Sequence, residues 1–346
     1  MSPMTSSGDR VNPAGSGSLV GAGFMLLAAL LFGINGSVSK AALTDGGITS
    51  VHLVTLRIIL AAIVFALIAA LRAPASLKVT RRDLGLITAH AIVGVAMVQW
   101  LYFVAIARMP VRVTLLIEFT APLYIALWVR FVHKRTVHGR VWASLLLIIV
   151  GLALVARVWH GLTLDGVGLA AAVVAAFSLS VFYLLGERGV GQRDPWSLAA
   201  WSFGIAAVFW TIVGRPWTFP FEQLNAPITL SGIGLTGPGW LYLTAVVLLG
   251  TVAPFGLSLM GLRRIGAARA GLLATAEPPL AGLLAWPMLG ETLLSIQIVG
   301  GLVVMAGIVL AESARSTVAS GTDGSGGPGG PDDPGGNEAL REIARG

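Results

Sequence analysis

Ten apolar runs, each about 20 residues long, follow one another along the chain with short polar breaks between them. Charged residues make up 11% of the sequence, whereas a soluble domain carries about 25%. Backbone groups in hydrocarbon must bond to one another, and the runs lack the apolar–polar alternation of barrel strands. The pattern therefore predicts an all-α integral membrane protein with ten transmembrane helices.

The predicted spans are separated and flanked by segments of different composition. We expect residues 1–18 to form a cytoplasmic segment before a first helix that is retained, since no clear small-residue cleavage site follows it. Residues 313–346, with the stretch GSGGPGGPDDPGG, are expected to be a disordered cytoplasmic tail. The ten spans are predicted at 19–43, 51–71, 84–107, 110–132, 139–157, 166–186, 195–214, 238–262, 266–288 and 294–312.

A shift of 156 residues aligns the second half of the chain with the region from Arg108 to Val155 without a gap. Membrane proteins built from two copies of one helical unit are typically secondary transporters. We predict a first repeat at 19–157 and a second at 166–312, and five helices per repeat make the two halves inverted. The informative matches fall at helix ends and breaks: Arg108 on Arg264, Pro122 on Pro278, Thr136 on Thr292 and Gly151 on Gly307.

The distribution of lysine and arginine predicts the orientation. With the N-terminus inside, fifteen of these residues lie on cytoplasmic segments, two more lie in the tail, and five lie outside. Both termini are therefore expected in the cytoplasm, with the protein in the plasma (inner) membrane. The net charge of +7 is then explained by cytoplasmic loops and not by a nucleic-acid partner.

Several kinds of site are not expected from this sequence. The absence of cysteine excludes disulfides and thiolate chemistry, the five histidines show no metal-ligand spacing, and no P-loop is present. We therefore expect neither a metal nor a cofactor, and we do not expect an enzyme. The predicted partners are a small-molecule cargo, the lipid bilayer and protons. Two fused halves make a monomer sufficient, and a homodimer stays open.

The second half contains a recognisable segment, AEPPLAGLLAWPMLGETLLSIQIVGGLVVMAGIVL, at 276–310. It resembles the second repeat of the EamA-type drug/metabolite transporter superfamily, chiefly through Glu277-Pro278 and Leu289-Gly290-Glu291. Leu56-Arg57 and IEFTAP at 117–122 resemble the threonine/homoserine exporter branch. The sequence departs from many first repeats at Arg135, where glutamate is common, which fits a loop charge instead of a substrate contact.

The resemblance covers residues 19–312 and carries expectations with it. It implies a ten-helix inner-membrane carrier with a central cavity, from which the fifth and tenth helices lie away. It also implies export of small metabolites, above all amino acids such as threonine and homoserine, driven by protons or by exchange. Alternating access between inward- and outward-open states would be the mechanism.

Two acids are predicted near the bilayer midplane. Glu118 lies about nine residues into the fourth span, and Glu277 lies at a similar depth in the ninth. Charged groups there are costly and usually functional, so each acid is a candidate for proton coupling or for binding a substrate ammonium group. Each also has a structural reading: Glu118 as a partner of Arg57 on a neighbouring helix, and Glu277 as a partner of the backbone groups that prolines leave free. The prolines at these helix breaks are Pro122, Pro278 and Pro279.

Arg57 in the second span has two readings as well. It can hold a substrate carboxylate bidentately, or it can form a structural ion pair or extend toward the outer face. Other polar side chains are candidates for lining the cavity or for joining helices. They are Asn35, Ser39, Gln99, Tyr102, Ser180 and Tyr183.

Two rival functions are kept. The first is another cargo on the same scaffold, such as a drug, organic cation, nucleobase or sugar, which Trp100, Tyr102 and Tyr183 would favour. The second is a membrane-embedded enzyme or lipid scramblase. An enzyme would need acids, histidines or metal ligands clustered at one membrane face, and the sequence shows no such cluster.

Overall fold

A computed structural model describes residues 13–106, 108–109, 111–134, 136–159, 165–290 and 294–322. Thirteen α-helical segments follow one another through these residues. They are α1 Pro13–Thr44, α2 Ser50–Arg72, α3 Arg81–Ala89, α4 Val98–Ile106, α5 Val111–Glu118, α6 Ala121–Phe131, α7 Gly139–Ala156, α8 Gly166–Gln192, α9 Pro195–Gly214, α10 Gly239–Val247, α11 Ala253–Ala274, α12 Glu277–Leu289 and α13 Ser295–Thr322.

These segments combine into ten membrane passes. Within the described residues, nine stretches are long and apolar enough to cross a membrane. One of them, Gly239–Ala274, is 36 residues long. It contains Gly266 with φ 75° and ψ 167°, which is not helical. The chain before Gly266 is the eighth pass, and α12 completes the ninth, so the prediction of an all-α, ten-pass membrane protein is confirmed.

Two helices extend beyond their predicted ends. The helix α8 continues to Gln192 instead of 186. Its last turns are held by packing, because Val190 is buried and Gly189 lies against Leu198 of α9. The helix α13 reaches Thr322, ten residues past the predicted boundary at 312. The remainder of the predicted tail, and residues 1–12, lie outside the described residues.

The helices α7 and α13 pack with a two-fold relation. They begin at Gly139 and Ser295, which are 156 residues apart. A Cβ on Gly151 would lie 2.7 Å from Gly300 O, and one on Gly307 would lie 3.0 Å from Ser144 O. Under the shift, Ser144 corresponds to Gly300 and Gly151 to Gly307. The contact of Gly151 with Gly300 is therefore equivalent by symmetry to the contact of Gly307 with Ser144. The pairing runs antiparallel, as inverted halves require.

Both repeats contain a π-helical segment at a corresponding place. The third pass is π-helical over His90–Met97 and the eighth over Leu248–Val252. Gly94 and Gly250, again 156 residues apart, lie within these segments. Each faces another helix closely, since an added Cβ would meet Phe182 at Gly94 and Asn35 at Gly250. π-helical segments of this kind are frequent at functional sites.

A small β-hairpin interrupts the all-helical pattern in the loop between α9 and α10. Its strands are β1 Pro227–Leu230 and β2 Leu235–Pro238, paired antiparallel. The Gly232 amide donates to Met288 O at 3.1 Å, and the Ser231 hydroxyl donates to Leu289 O at 3.0 Å. The Thr229 amide donates to Asp45 Oδ2 at 3.3 Å. The hairpin therefore ties the end of α12 to the end of α1.

The contact between α7 and α13 generates a stability prediction. Replacement Gly151→Leu should separate the two helices and lower the midpoint of thermal unfolding in detergent, since overpacking costs about 1–3 kcal/mol. The matched control is Gly204→Leu in α9, where an added Cβ meets nothing within 4 Å. Equal midpoints for the two variants would show that the close contact does not stabilise the fold.

Candidate functional site

The fourth pass is interrupted near its middle. The helix α5 ends at Glu118, a turn follows at Phe119–Thr120, and α6 begins at Ala121. The Thr120 amide and hydroxyl both bond to Ile117 O, at 3.0 Å and 2.6 Å. Pro122 has no N–H, so the carbonyl of Glu118 lacks its usual helical donor. The break thus leaves a backbone acceptor beside an acidic side chain.

The ninth pass contains the equivalent break. The helix α11 ends at Ala274, the turn is Thr275–Ala276, and α12 begins at Glu277. The Thr275 hydroxyl donates to Leu272 O at 2.6 Å. Pro278 and Pro279 remove the usual donors of the Ala274 and Thr275 carbonyls. This turn lies 156 residues after Phe119–Thr120, so the two repeats break at the same position.

The two acids lie on opposite sides of these breaks. Glu118 is the last residue of α5, and Glu277 is the first residue of α12. A helix N-terminus stabilises negative charge and a C-terminus destabilises it, by about 0.3–1 kcal/mol each at an exposed site. Glu118 is also 8% exposed. The backbone therefore offers the two carboxyl groups different surroundings, although the breaks are equivalent.

Three further polar side chains surround the acids. Arg57 of α2 interacts electrostatically with Glu277 and Tyr102, and Tyr102 and Tyr183 each interact with both acids. The acids also interact with each other. The five residues come from α2, α4, α5, α8 and α12, so the site lies between the repeats. We refer to Arg57, Tyr102, Glu118, Tyr183 and Glu277 as the central cluster.

Arg57 is not neutralised by a direct ion pair. In the part of the chain that the structure describes, no salt bridge joins it to Glu118 or to Glu277. Its Nε atom is buried and has no hydrogen-bond partner. An unpaired guanidinium donor in a membrane interior is costly unless a ligand completes it. The central cluster can therefore take an additional anionic group next to Arg57.

The other predicted residues are distributed around this cluster in different ways. The Ser39 hydroxyl donates to Asn35 Oδ1 at 3.2 Å, and Asn35 packs on Gly250, which favours a helix-joining role for this pair. Ser180 is buried and donates to Phe177 O of its own helix at 2.6 Å. Gln99 lies on the same helix as Tyr102 and is partly exposed. The departure at Arg135 lies outside the described residues.

Sequence reasoning missed one residue that shapes the site. Gly271 of α11 lies where α6 and α8 approach the ninth pass. A Cβ added there would lie 2.9 Å from Ile125 Cδ1 and 3.8 Å from both Pro122 and Tyr183. The small-residue stretch AARAG at 267–271 is the signal that indicates such a close helix contact.

Known proteins resemble this chain over most of its length. Residues 19–157 and 166–312 match the model of the EamA-like transporter family. An uncharacterized transporter of Archaeoglobus fulgidus is 25% identical over 226 residues, which cover 64% of this chain and 76% of the relative. The threonine/homoserine exporter RhtA of Escherichia coli strain K12 is 28% identical over 221 residues, covering 64% of this chain and 67% of the relative.

A solved structure shows the same fold. The crystal structure of a protein superposes on this chain with a TM-score of 0.69 and 19% sequence identity. The superposition covers 88% of this chain and 99% of the other. At this identity the likeness shows the architecture alone.

A double-mutant cycle tests the coupling within the central cluster. Arg57→Met and Glu277→Gln should each lower thermal stability in detergent, because each removes the electrostatic attraction between Arg57 and Glu277. The double variant should be more stable than the sum of the single effects predicts, by about 0.5–3 kcal/mol. Pairing Arg57→Met with Glu222→Gln, an exposed acid in the loop between α9 and α10, provides the control. Additive effects in both pairs would contradict the coupling.

Proposed function

The chain belongs to the EamA-like transporter family, and from this premise we propose that it exports small α-amino acids similar to threonine and homoserine. It is a multi-pass membrane transporter and not an enzyme. We place it in the inner membrane with both termini in the cytoplasm, as the lysine and arginine distribution predicts. Transport would be secondary-active, by alternating access coupled to protons or to exchange.

The observation that carries the proposal is the unpaired Arg57, which interacts with Glu277 in a cluster that also contains Glu118 and two broken helices. An α-amino acid has one carboxylate and one ammonium group. Arg57 offers donors for the carboxylate, and such a charge-assisted contact is strong and directional. The acids and the carbonyls freed by the prolines offer acceptors for the ammonium group. The cluster thus complements both charges of a zwitterion.

The tyrosines support a hydroxylated cargo. Tyr102 and Tyr183 interact with both acids, and each hydroxyl can donate and accept a hydrogen bond. A substrate hydroxyl bound in this way gives strong discrimination, because an analogue without it leaves the site's polar groups unpaired. The resemblance to a threonine/homoserine exporter at 28% identity points the same way.

The different positions of the acids suggest different roles in coupling. We assign Glu118, at the C-terminal end of α5, to carrying the proton, because negative charge is least stabilised there. We assign Glu277, at the N-terminal end of α12, to binding the ammonium group while it remains ionised. Gain or loss of the proton at Glu118 would then shift the balance between inward- and outward-open states.

A lipophilic organic cation is the second candidate cargo. Aromatic rings adjoin the central cluster, with Phe182 and Tyr183 at 5.3 Å and Tyr102 and Phe103 at 5.6 Å between centroids. Such a cargo would use the acids and the aromatic faces. It would have no use for the donors of Arg57, so the two cargo classes differ in their dependence on this residue.

Efflux from proteoliposomes tests the export function. The wild type should release preloaded threonine or homoserine faster with an inward proton gradient, and Glu118→Gln should lose the gradient dependence. Counterflow between internal and external cargo, measured without a gradient, separates exchange from proton coupling. Glu222→Gln should behave as the wild type, since this acid lies in the outer loop. Efflux of another compound, but not of threonine or homoserine, would show that the cargo is different. It would not affect the assignment to the family.

The role of Arg57 is tested by removing the cargo's carboxylate. Arg57→Gln should raise the KM for threonine at least about ten-fold, because a charge-assisted bond contributes about 1.5–3 kcal/mol. The KM for threoninol, which has an alcohol in place of the carboxylate, should change little. Equal losses for both compounds would show that Arg57 acts structurally and would favour the organic-cation alternative.

A further inference from the structure

A cavity lies outside the central cluster. Its volume is about 430 Å³, within the range of small-molecule sites. It is formed by α6, by α8 and by the kink between the eighth and ninth passes. The residues that matter for its chemistry and position are Ile125, His133, Leu184, Glu187, Ile265 and Gly266.

This cavity adjoins the central cluster through a thin layer of side chains. Leu184 directly follows Tyr183, and Ile125 lies one turn after Pro122. Gly271 packs on Ile125 and also faces Pro122 and Tyr183. Pro122, Tyr183 and Gly271 therefore separate the cavity from the acids. The cavity lies toward the basic end of α6, which the charge distribution predicts to be cytoplasmic.

Glu187 gives the cavity its charge. It is the one carboxylate among the described residues that line the cavity, and its side chain is exposed. Among the described residues it forms no salt bridge. Three arginines near this end of the bundle are bound elsewhere. Arg193 pairs with Asp83, Arg269 with Glu312, and Arg264 lies over Phe24 and donates to Met260 O.

The kink at Gly266 makes room for this carboxylate. Its φ of 75° and ψ of 167° belong to a region that only glycine occupies readily. A Cβ at this position would lie 2.8 Å from Glu187 Oε1. The backbone at Gly266 therefore lies close to the carboxylate, and a side chain at this position would require the carboxylate to move. His133 lines the cavity as well and provides a further polar group.

We propose that this cavity is a loading site, where Glu187 binds the ammonium group of the cargo before it passes Tyr183 and Pro122 to the central cluster. The direction of passage rests on the proposed export function. The recognition of an organic ammonium group does not rest on that function, because it follows from an unpaired carboxylate in a cavity of suitable size. Here one carboxylate binds the ammonium group alone, whereas the central cluster is proposed to bind both the carboxylate and the ammonium group of the cargo.

The chain contains no cysteine, so a single introduced thiol can report on the cavity without background. Leu184→Cys would be labelled with a trimethylammonium-bearing and a sulfonate-bearing methanethiosulfonate. The cationic reagent should react faster, and Glu187→Gln should lower the ratio of the two rates roughly ten-fold, as expected for a nearby unit charge. Glu222→Gln in the same background should leave the ratio unchanged. Val129→Cys, also in the cavity lining, replaces Leu184→Cys if the latter does not fold.

Protection and kinetics then separate the loading site from the export function. Threonine and tetramethylammonium should each slow labelling, and Glu187→Gln should raise the KM for efflux several-fold with Vmax within about two-fold of the wild type. Protection by tetramethylammonium with no amino-acid transport would support the loading site and overturn the proposed cargo. An unchanged rate ratio and KM in Glu187→Gln, with amino-acid efflux intact, would overturn the loading site alone.

Discussion

The backbone groups of a membrane helix must form hydrogen bonds with one another. Two passes of this protein leave some of these groups without their helical partners, at equivalent positions of the two repeats. Pro122 interrupts the fourth pass, and Pro278 and Pro279 interrupt the ninth. Threonine hydroxyls beside the two turns bond to nearby carbonyls. The carbonyls that the prolines leave without their usual donors lie next to Glu118 and Glu277. The central cluster and its chemistry depend on this arrangement.

Pseudo-symmetry makes the breaks equivalent, but the side chains make them different. Glu118 corresponds to Ala274 and Glu277 to Ala121, so each break carries one acid, on opposite sides of the turn. Two acids at equivalent positions would experience the same helix dipole, so the backbone would not favour ionisation of one over the other. Their displacement by three residues places one at a helix end and the other at a helix beginning. A proton carrier and a cation-binding group can thereby coexist within one cluster.

The sequence predicted the features of this fold that follow from the membrane environment and from the internal repeat. The passes follow from the apolar runs, and the 156-residue shift predicted the equivalence that α7 and α13 display. It did not predict the β-hairpin at 227–238, because a turn-rich outer loop shows no apolar periodicity. The π-helical segments were missed because they leave apolar composition unchanged. The clustering of Arg57 with Glu277 required the packing of five helices, which no local pattern contains.

The cavity at Glu187 illustrates why the missed features matter. Gly266, one of its lining residues, adopts a backbone conformation that side-chain-bearing residues avoid, and that conformation is not visible in hydropathy. The prediction placed a helix boundary at residue 266 but had no means of showing that α8 presents a carboxylate to it.

The two ends of the molecule are also held differently. The hairpin joins α1 to α12 at one end, whereas at the other Arg269 joins Ser18 of α1 to Glu312 of α13. Under the proposed alternating access, opening at either end would break a different set of polar contacts, so the two open states need not be equally stable.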